Sequence, residues 1–190
     1  HVAFAGPIMY GDEGSSGYFE KAAHPDNVFW HQALEANEIY KMLDGKLRKR
    51  ALLKEAPDEA EIAFRGPKGK FTGAAVADMA RDQKEHLQKV LRLLLEPFRK
   101  SDQDEAVAAL KKNGGLDKCQ LTFYKRDDLG SDGIWDNWRL EGPAFVWHWR
   151  GAPHVHVWVH VADNPEVELN SRNRSGLLRQ KGDDGFMAQS

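Results

Sequence analysis

The sequence contains little cysteine, no long apolar run and almost no net charge. Its single cysteine, Cys119, excludes a disulfide within the chain, and we expect this side chain to fill space in the core. No apolar run approaches the roughly 20 residues that a membrane-spanning helix needs, so we expect no membrane insertion. A formal net charge of −2 leaves no basic surface for phosphate backbones, which argues against nucleic acid as a partner.

The chain starts at His1 rather than at methionine. Its first residues have neither the basic region nor the long apolar stretch of a signal peptide. We therefore expect a processed product, formed by signal removal or by cleavage of a longer precursor, with an artificially chosen start as the alternative. On this interpretation the protein is exported, periplasmic or secreted, and can associate with the remainder of its precursor.

The strongest local signal is the alternation of residue types in the segment His154–Val161. Side chains of a strand point alternately to its two faces, so this segment predicts a strand with one face of valines. The opposite face carries three imidazoles and an indole, from His154, His156, Trp158 and His160. Three imidazoles on one strand face are more typical of a metal site than of packing.

The preceding segment, Ala144–Arg150, is also predicted to be a strand, joined to the next by a short link. If Arg150 pairs with His154, then His148 lies directly opposite His156, with Cβ atoms roughly 5 Å apart. The valines would then lie beside three aromatic side chains: Phe145, Trp147 and Trp149. A slip by one residue would put a tryptophan among the histidines, so the apolar pattern favours this register.

The order of periodic segments predicts a single α+β domain over residues 1–190, with a helical N-terminal half packed on one face of a four-stranded antiparallel β-meander. Its predicted parts are a glycine-rich N-terminal segment (1–27), a mainly helical region (28–115), the antiparallel strands (119–162) and an irregular tail (163–190). The four strands are predicted at Cys119–Lys125, Gly133–Glu141, Ala144–Arg150 and His154–Ala162.

Alternation in the first two of these strands places further polar side chains on the histidine face. Tyr124, Arg139 and Glu141 are the predicted catalytic residues there, with Trp135 beside them. The predicted metal ligands are His148, His154 and His156, with His160 farther along the strand as a ligand or a group that orients the others. His1 is a further candidate, because its α-amine and imidazole together form the histidine brace that binds copper.

Three imidazoles leave an open coordination position on copper, zinc or iron, as catalysis requires. We predict an exported, mononuclear, histidine-ligated metalloprotein, with copper and oxidative chemistry on a small-molecule or polymeric substrate. A zinc-dependent hydrolase is the nearest alternative, with Glu141 as general base. Two non-enzymatic alternatives are a copper carrier and an interaction domain that uses the exposed face of Trp135 and Trp158.

Several segments resemble the bacterial family catalogued as domain of unknown function 3500. They are Trp135–Pro143, Trp147–His156, Ala36–Glu38 with Leu43–Lys46, and Gly130–Gly133. The resemblance covers most of residues 1–162 and is most specific around Arg139–Gly142 and the His-x-His motif. Members commonly carry adjacent histidines where this chain has Pro143 and Ala144. They are also commonly exported and longer than this chain, which agrees with the expectation that His1 is a processed or trimmed start.

Overall fold

A computed structural model describes residues 2–10, 30–59, 62–129, 131–151 and 155–169. Its helices are α1 (Trp30–Met42), α2 (Gly45–Ala51), α3 (Arg81–Leu95) and α4 (Lys100–Lys112). Its strands are β1 (Val2–Tyr10), β2 (Leu52–Leu53), β3 (Ala74–Ala75), β4 (Gln120–Tyr124), β5 (Asn137–Gly142), β6 (Phe145–Arg150) and β7 (Val155–Val161). Helices and a sheet are both present, which confirms the α+β class.

The described strands form one seven-stranded mixed sheet in the order β1-β7-β6-β5-β4-β2, with β3 also paired to β4. The β2–β4 pair is parallel and the others are antiparallel. The predicted four-stranded antiparallel meander is therefore wrong as a description of the sheet. The predicted helical N-terminal half is wrong as well, because β1, β2 and β3 also precede β4. Two-residue strands such as β2 and β3 leave no periodic signal in a sequence.

Strand β1 lies in the predicted glycine-rich N-terminal segment, residues 1–27. Its pairing with β7 shifts register between Phe4 and Ile8, at the point where Gly6 and Pro7 interrupt the apolar pattern. Proline cannot donate to a ladder and glycine marks bulges, so both residues fit an irregular edge strand.

The register between β6 and β7 differs from the predicted one by two residues. His148 lies opposite Trp158, and Arg150 lies opposite His156. Arg150 pairs with a residue two positions farther along β7 than predicted, because more residues connect the paired parts of the two strands than the three-residue link assumed from the sequence. Since an even shift keeps every side chain on its face, the predicted division into an aromatic–valine face and a histidine face is retained.

The aromatic–valine face packs against the helices to form the main core. Trp138 stacks on Trp149 with ring centroids 4.7 Å apart and meets Trp147 edge-on at 5.8 Å. The helices contribute small and branched side chains to the same cluster, among them Ala33, Ile39, Leu87 and Val90. No helix among the described residues is long and apolar enough to cross a membrane.

Trp135 joins this core and not the histidine face, contrary to the sequence-based expectation. Asn37 of α1 accepts a hydrogen bond from the Trp135 amide at 2.7 Å and donates to its carbonyl at 3.0 Å. The Trp135 ring then packs edge-on against Tyr40. Two backbone hydrogen bonds from a buried helix residue thus fix which side of the sheet this tryptophan covers.

The opposite face of the sheet is partly covered by residues 59 and 62–66 and by Leu169. Ile62 packs with Val146 and Trp158 in a second, smaller apolar cluster, with Phe64 and Leu169 against it. Gly66 N donates to Pro143 O at 2.9 Å, which ties the covering segment to the β5–β6 turn. This cover brings Glu59 onto the histidine face.

Candidate functional site

The histidine face is a regular array of polar side chains on four adjacent strands, and we call it the polar face. Cross-strand pairing arranges its members in three rows: Gln120, Glu141, Val146 and His160; Thr122, Arg139, His148 and Trp158; and Tyr124, Asn137, Arg150 and His156. Directly opposed residues of one face lie about 5 Å apart. The sheet therefore places five of the other predicted catalytic or ligating residues on the same face as His148.

The carboxylate of Glu59 lies at the centre of the contacts made by this face. Glu59 Oε1 is 2.6 Å from Arg150 Nε and 3.5 Å from His148 Nε2. Glu59 Oε2 is 3.3 Å from His156 Nδ1, which Arg150 Nη2 also contacts. Three nitrogen-bearing side chains of β6 and β7 thus converge on one carboxylate. We call His148, Arg150 and His156 the cradle.

The cradle keeps Glu59 ionised. Burial by itself raises the pKa of Glu59, but contacts with His148 and His156 and the charge of Arg150 outweigh it and lower the pKa to about 2. The Arg150 contact is an ion pair without an aligned hydrogen bond, since neither Arg150 Nε nor Glu59 Oε1 has a hydrogen-bond partner. The cradle therefore binds a full negative charge at neutral pH.

The tautomer of His148 follows from its neighbour on β5. Arg139 Nε donates to His148 Nδ1 at 3.2 Å, and a guanidinium group has no acceptor, so Nδ1 must supply the lone pair. Burial lowers the pKa of His148 to about 4, which leaves a neutral ring with its hydrogen on Nε2. His148 Nε2 is buried, and it has no hydrogen-bond partner of good geometry.

Behind His148, the predicted catalytic residues are buried. Glu141 lies 3.4 Å from Arg139 Nη1 and 3.7 Å from Arg65 Nη2, so two guanidinium groups neutralise it. The Tyr124 hydroxyl has no hydrogen-bond partner, and burial raises its pKa to about 12. These positions favour roles in positioning the cradle over direct contact with a ligand.

His160 occupies the far end of the polar face, opposite Val146. Both of its ring nitrogens are buried and lack hydrogen-bond partners, and burial lowers its pKa. A neutral imidazole with a free lone pair is a suitable metal ligand by itself. His1 and His154, the other predicted ligands, lie outside the described residues.

A cleft of about 310 Å³ opens onto the cradle. Its lining comes from the segment that carries Glu59, from the turn after β4 and from the polar face: Ala56, Pro57, Asp58, Glu59, Arg126, Asp127, Asn137, His148 and Arg150. Asn137 shapes this wall by donating to the carbonyls of Arg126 and Asp127. Two members of the cradle, His148 and Arg150, thus belong to the lining of the cleft.

Among the residues that the structure describes, no group of three or more histidine, cysteine, aspartate or glutamate side chains is placed to hold a metal ion. An imidazole that binds a metal normally donates a hydrogen bond from its second ring nitrogen, whereas His148 Nδ1 accepts a hydrogen bond from Arg139. Arg150 also contacts both Glu59 and His156, so the positive charge next to these two side chains is its guanidinium group.

Sequence reasoning missed Glu59, the residue around which the site is built. It lies 97 positions before His156 and follows residues 55–58, which form neither helix nor strand, so no periodic pattern links the two. The one available signal is the presence of Arg139 and Arg150 on a predicted sheet face. Buried guanidinium groups require acidic partners, and Glu141 alone does not balance both.

Comparisons of the chain with protein-family models, with curated proteins and with solved structures found no match. Membership of the domain of unknown function 3500 family therefore stays a prediction from the motifs of the sequence.

Proposed function

We propose that the protein binds a small-molecule ligand through a carboxylate or a similar oxyanion, held by the cradle at the base of the cleft. The observation that carries the proposal is the convergence of His148, Arg150 and His156 on the Glu59 carboxylate. In this account the Glu59 side chain occupies the position that the oxyanion of a ligand takes. Binding then replaces one carboxylate by another.

The cradle has the chemistry of an oxyanion site. Arg150 offers a permanently charged guanidinium group, whose planar set of donors matches the two oxygens of a carboxylate. His148 offers a buried N–H group that lacks a hydrogen-bond partner. A buried donor without a partner costs about 1–3 kcal/mol, so a ligand oxygen that pairs with it gains affinity.

Glu59 is suited to being replaced, because it comes from outside the sheet. Its side chain is 27% exposed, and residues 55–58 before it form neither helix nor strand. Its nearest nitrogen contact is the ion pair with Arg150, which lacks an aligned hydrogen bond. A ligand with better geometry can therefore compete with it.

The test is to measure the binding of acetate to the wild-type protein and to Glu59→Ala from the change in Tm on thermal unfolding. We expect acetate to raise the Tm of both proteins, and to do so at lower concentration in Glu59→Ala, where no internal carboxylate competes. Acetamide, which has nearly the same shape but no charge, should have much less effect. Chloride at equal ionic strength controls for screening.

Two outcomes would contradict the proposal. If acetate and acetamide act equally on Glu59→Ala, the cavity is filled without oxyanion recognition. If acetate stabilises Glu59→Ala but never affects the wild-type protein, Glu59 is a structural ion pair that closes the segment over the sheet.

A second candidate function is the exported copper protein predicted from the sequence, with oxidative chemistry. It is favoured by the 3.3 Å approach of Glu59 Oε2 to His156 Nδ1, since an ionised carboxylate is a possible ligand. His154, two positions before His156, and His1 are the ligands that the sequence would add. Elemental analysis of protein purified without chelator tests it: stoichiometric copper supports this candidate, zinc supports the hydrolase, and no metal after reconstitution contradicts both.

A further inference from the structure

We infer that Arg139 is a positioning residue that makes His148 a hydrogen-bond donor toward the cleft, so that the cradle selects ligands that present only hydrogen-bond acceptors to His148 and Arg150. This inference rests on the proposed oxyanion site and names the class of ligand that the site takes. Carboxylates and sulfate belong to that class. An amide brings an N–H group beside its one acceptor oxygen, and alcohols and protonated phosphates carry a hydrogen on oxygen, so these do not belong to it.

The geometry of Arg139 leaves His148 one arrangement. Arg139 is 1% exposed, lies directly opposite His148 on β5 and donates from Nε to Nδ1 at 3.2 Å. A neutral imidazole has a single N–H group, and the nitrogen that accepts cannot also carry the hydrogen. The hydrogen therefore sits on Nε2, the nitrogen that faces Glu59.

Arg139 is itself held in place from behind. Its Nη1 donates to Glu141 Oε1, which also pairs with Arg65 of the covering segment. This ion pair fixes the orientation of the guanidinium group, so that Nε, and not Nη1, contacts His148. Glu141 thus stabilises the donor that orients the histidine.

The consequence is a pair of donors, Arg150 and His148, that faces the cleft once Glu59 has left. Arg150 is donor-only by its chemistry, and His148 is donor-only toward the cleft because of Arg139. A ligand N–H or O–H group directed at this pair would leave two donors facing each other. Sites of this kind discriminate strongly, because a mismatched polar group stays buried and unpaired.

The tautomer of His148 is measurable in the wild-type protein by two-bond ¹⁵N–¹H correlation, with the resonance assigned from its loss in His148→Asn. We expect the Nε2–H tautomer at neutral pH. A protonated Nδ1 would overturn the inference, and so would a mixture of both tautomers. This measurement needs no variant of Arg139 and stands even if such a variant fails to fold.

Variants of Arg139 then test the specificity. In the Glu59→Ala background, Arg139→Met removes the donor to Nδ1, whereas Arg139→Lys keeps a positive donor. We expect the preference for acetate over acetamide to fall about tenfold in Arg139→Met, the effect of one lost charge-assisted hydrogen bond. His148 should also populate both tautomers in Arg139→Met, while Arg139→Lys retains part of the preference.

The outcomes separate this inference from the proposal beneath it. Failure of acetate to bind any variant contradicts the oxyanion site, whatever tautomer is found. Binding of acetate with an unchanged preference in Arg139→Met contradicts the role of Arg139 and leaves the oxyanion site standing.

Discussion

The burial of a neutral His148 predicts that the fold loses stability in mild acid. The pKa of this ring is about 4 in the folded chain against an ordinary 6.5. As the pH falls through 6.5, the unfolded chain takes up a proton at His148 and the folded chain does not, so unfolding becomes more favourable. The loss is complete near pH 4, where the folded state takes up the proton as well.

The size of this effect follows from the difference between the two pKa values. A difference of one corresponds to about 1.4 kcal/mol, so the contribution of His148 is about 3 kcal/mol. Small domains have free energies of unfolding of about 5–15 kcal/mol, which makes a loss of this size readily measurable.

The assay is urea unfolding of the wild-type protein and of His148→Asn from neutral pH down to pH 4. The amide oxygen of asparagine can still accept from Arg139, but the side chain does not titrate. We expect the wild-type protein to be the more stable at neutral pH and its advantage to shrink by about 3 kcal/mol on acidification. His86→Asn, on α3, controls for loss of a histidine elsewhere. A constant gap between the wild-type protein and His148→Asn would refute the buried, neutral imidazole.

Two further predictions concern the fold. Gly73→Ala should lower the free energy of unfolding by about 2 kcal/mol or more, because φ is +105° and a Cβ would lie 2.3 Å from Leu121 O. Gly45→Ala is the control: the space around its Cβ is open, so we expect it to be neutral or stabilising. Equal effects of the two substitutions in urea unfolding would contradict this prediction. Cys119 is fully buried, and burial together with Asp117 raises its pKa to about 12. We therefore expect a thiol reagent at mildly alkaline pH to label it only after unfolding, and rapid labelling of the native protein would show that Cys119 is accessible.

The faces of the sheet could be predicted from the sequence because period-two alternation is a local property of each strand. Val157, Val159 and Val161 lie in the core with Trp147 and Trp149, as the alternation indicated. The β6–β7 register could not be predicted in the same way, because an even shift satisfies the same pattern. It depends on the length of the connecting segment, which apolar periodicity does not determine.

The candidate site was predictable only in part, for a related reason. The sheet residues His148, Arg139 and Glu141 share one face by alternation, and the structure brings them together. Glu59 reaches them through the path of an irregular segment, which no local pattern encodes. The metal hypothesis gave Arg139 a role beside the metal, whereas in the structure Arg139 and Arg150 contact the imidazoles of His148 and His156 directly.

The most direct test of the oxyanion site is a crystal structure of Glu59→Ala grown in the presence of acetate. The account predicts one acetate ion in the cradle, with its oxygens within hydrogen-bond distance of His148 Nε2 and Arg150. Water alone in the cradle at saturating acetate would contradict it, as would an acetate bound elsewhere in the cleft without contact to either side chain.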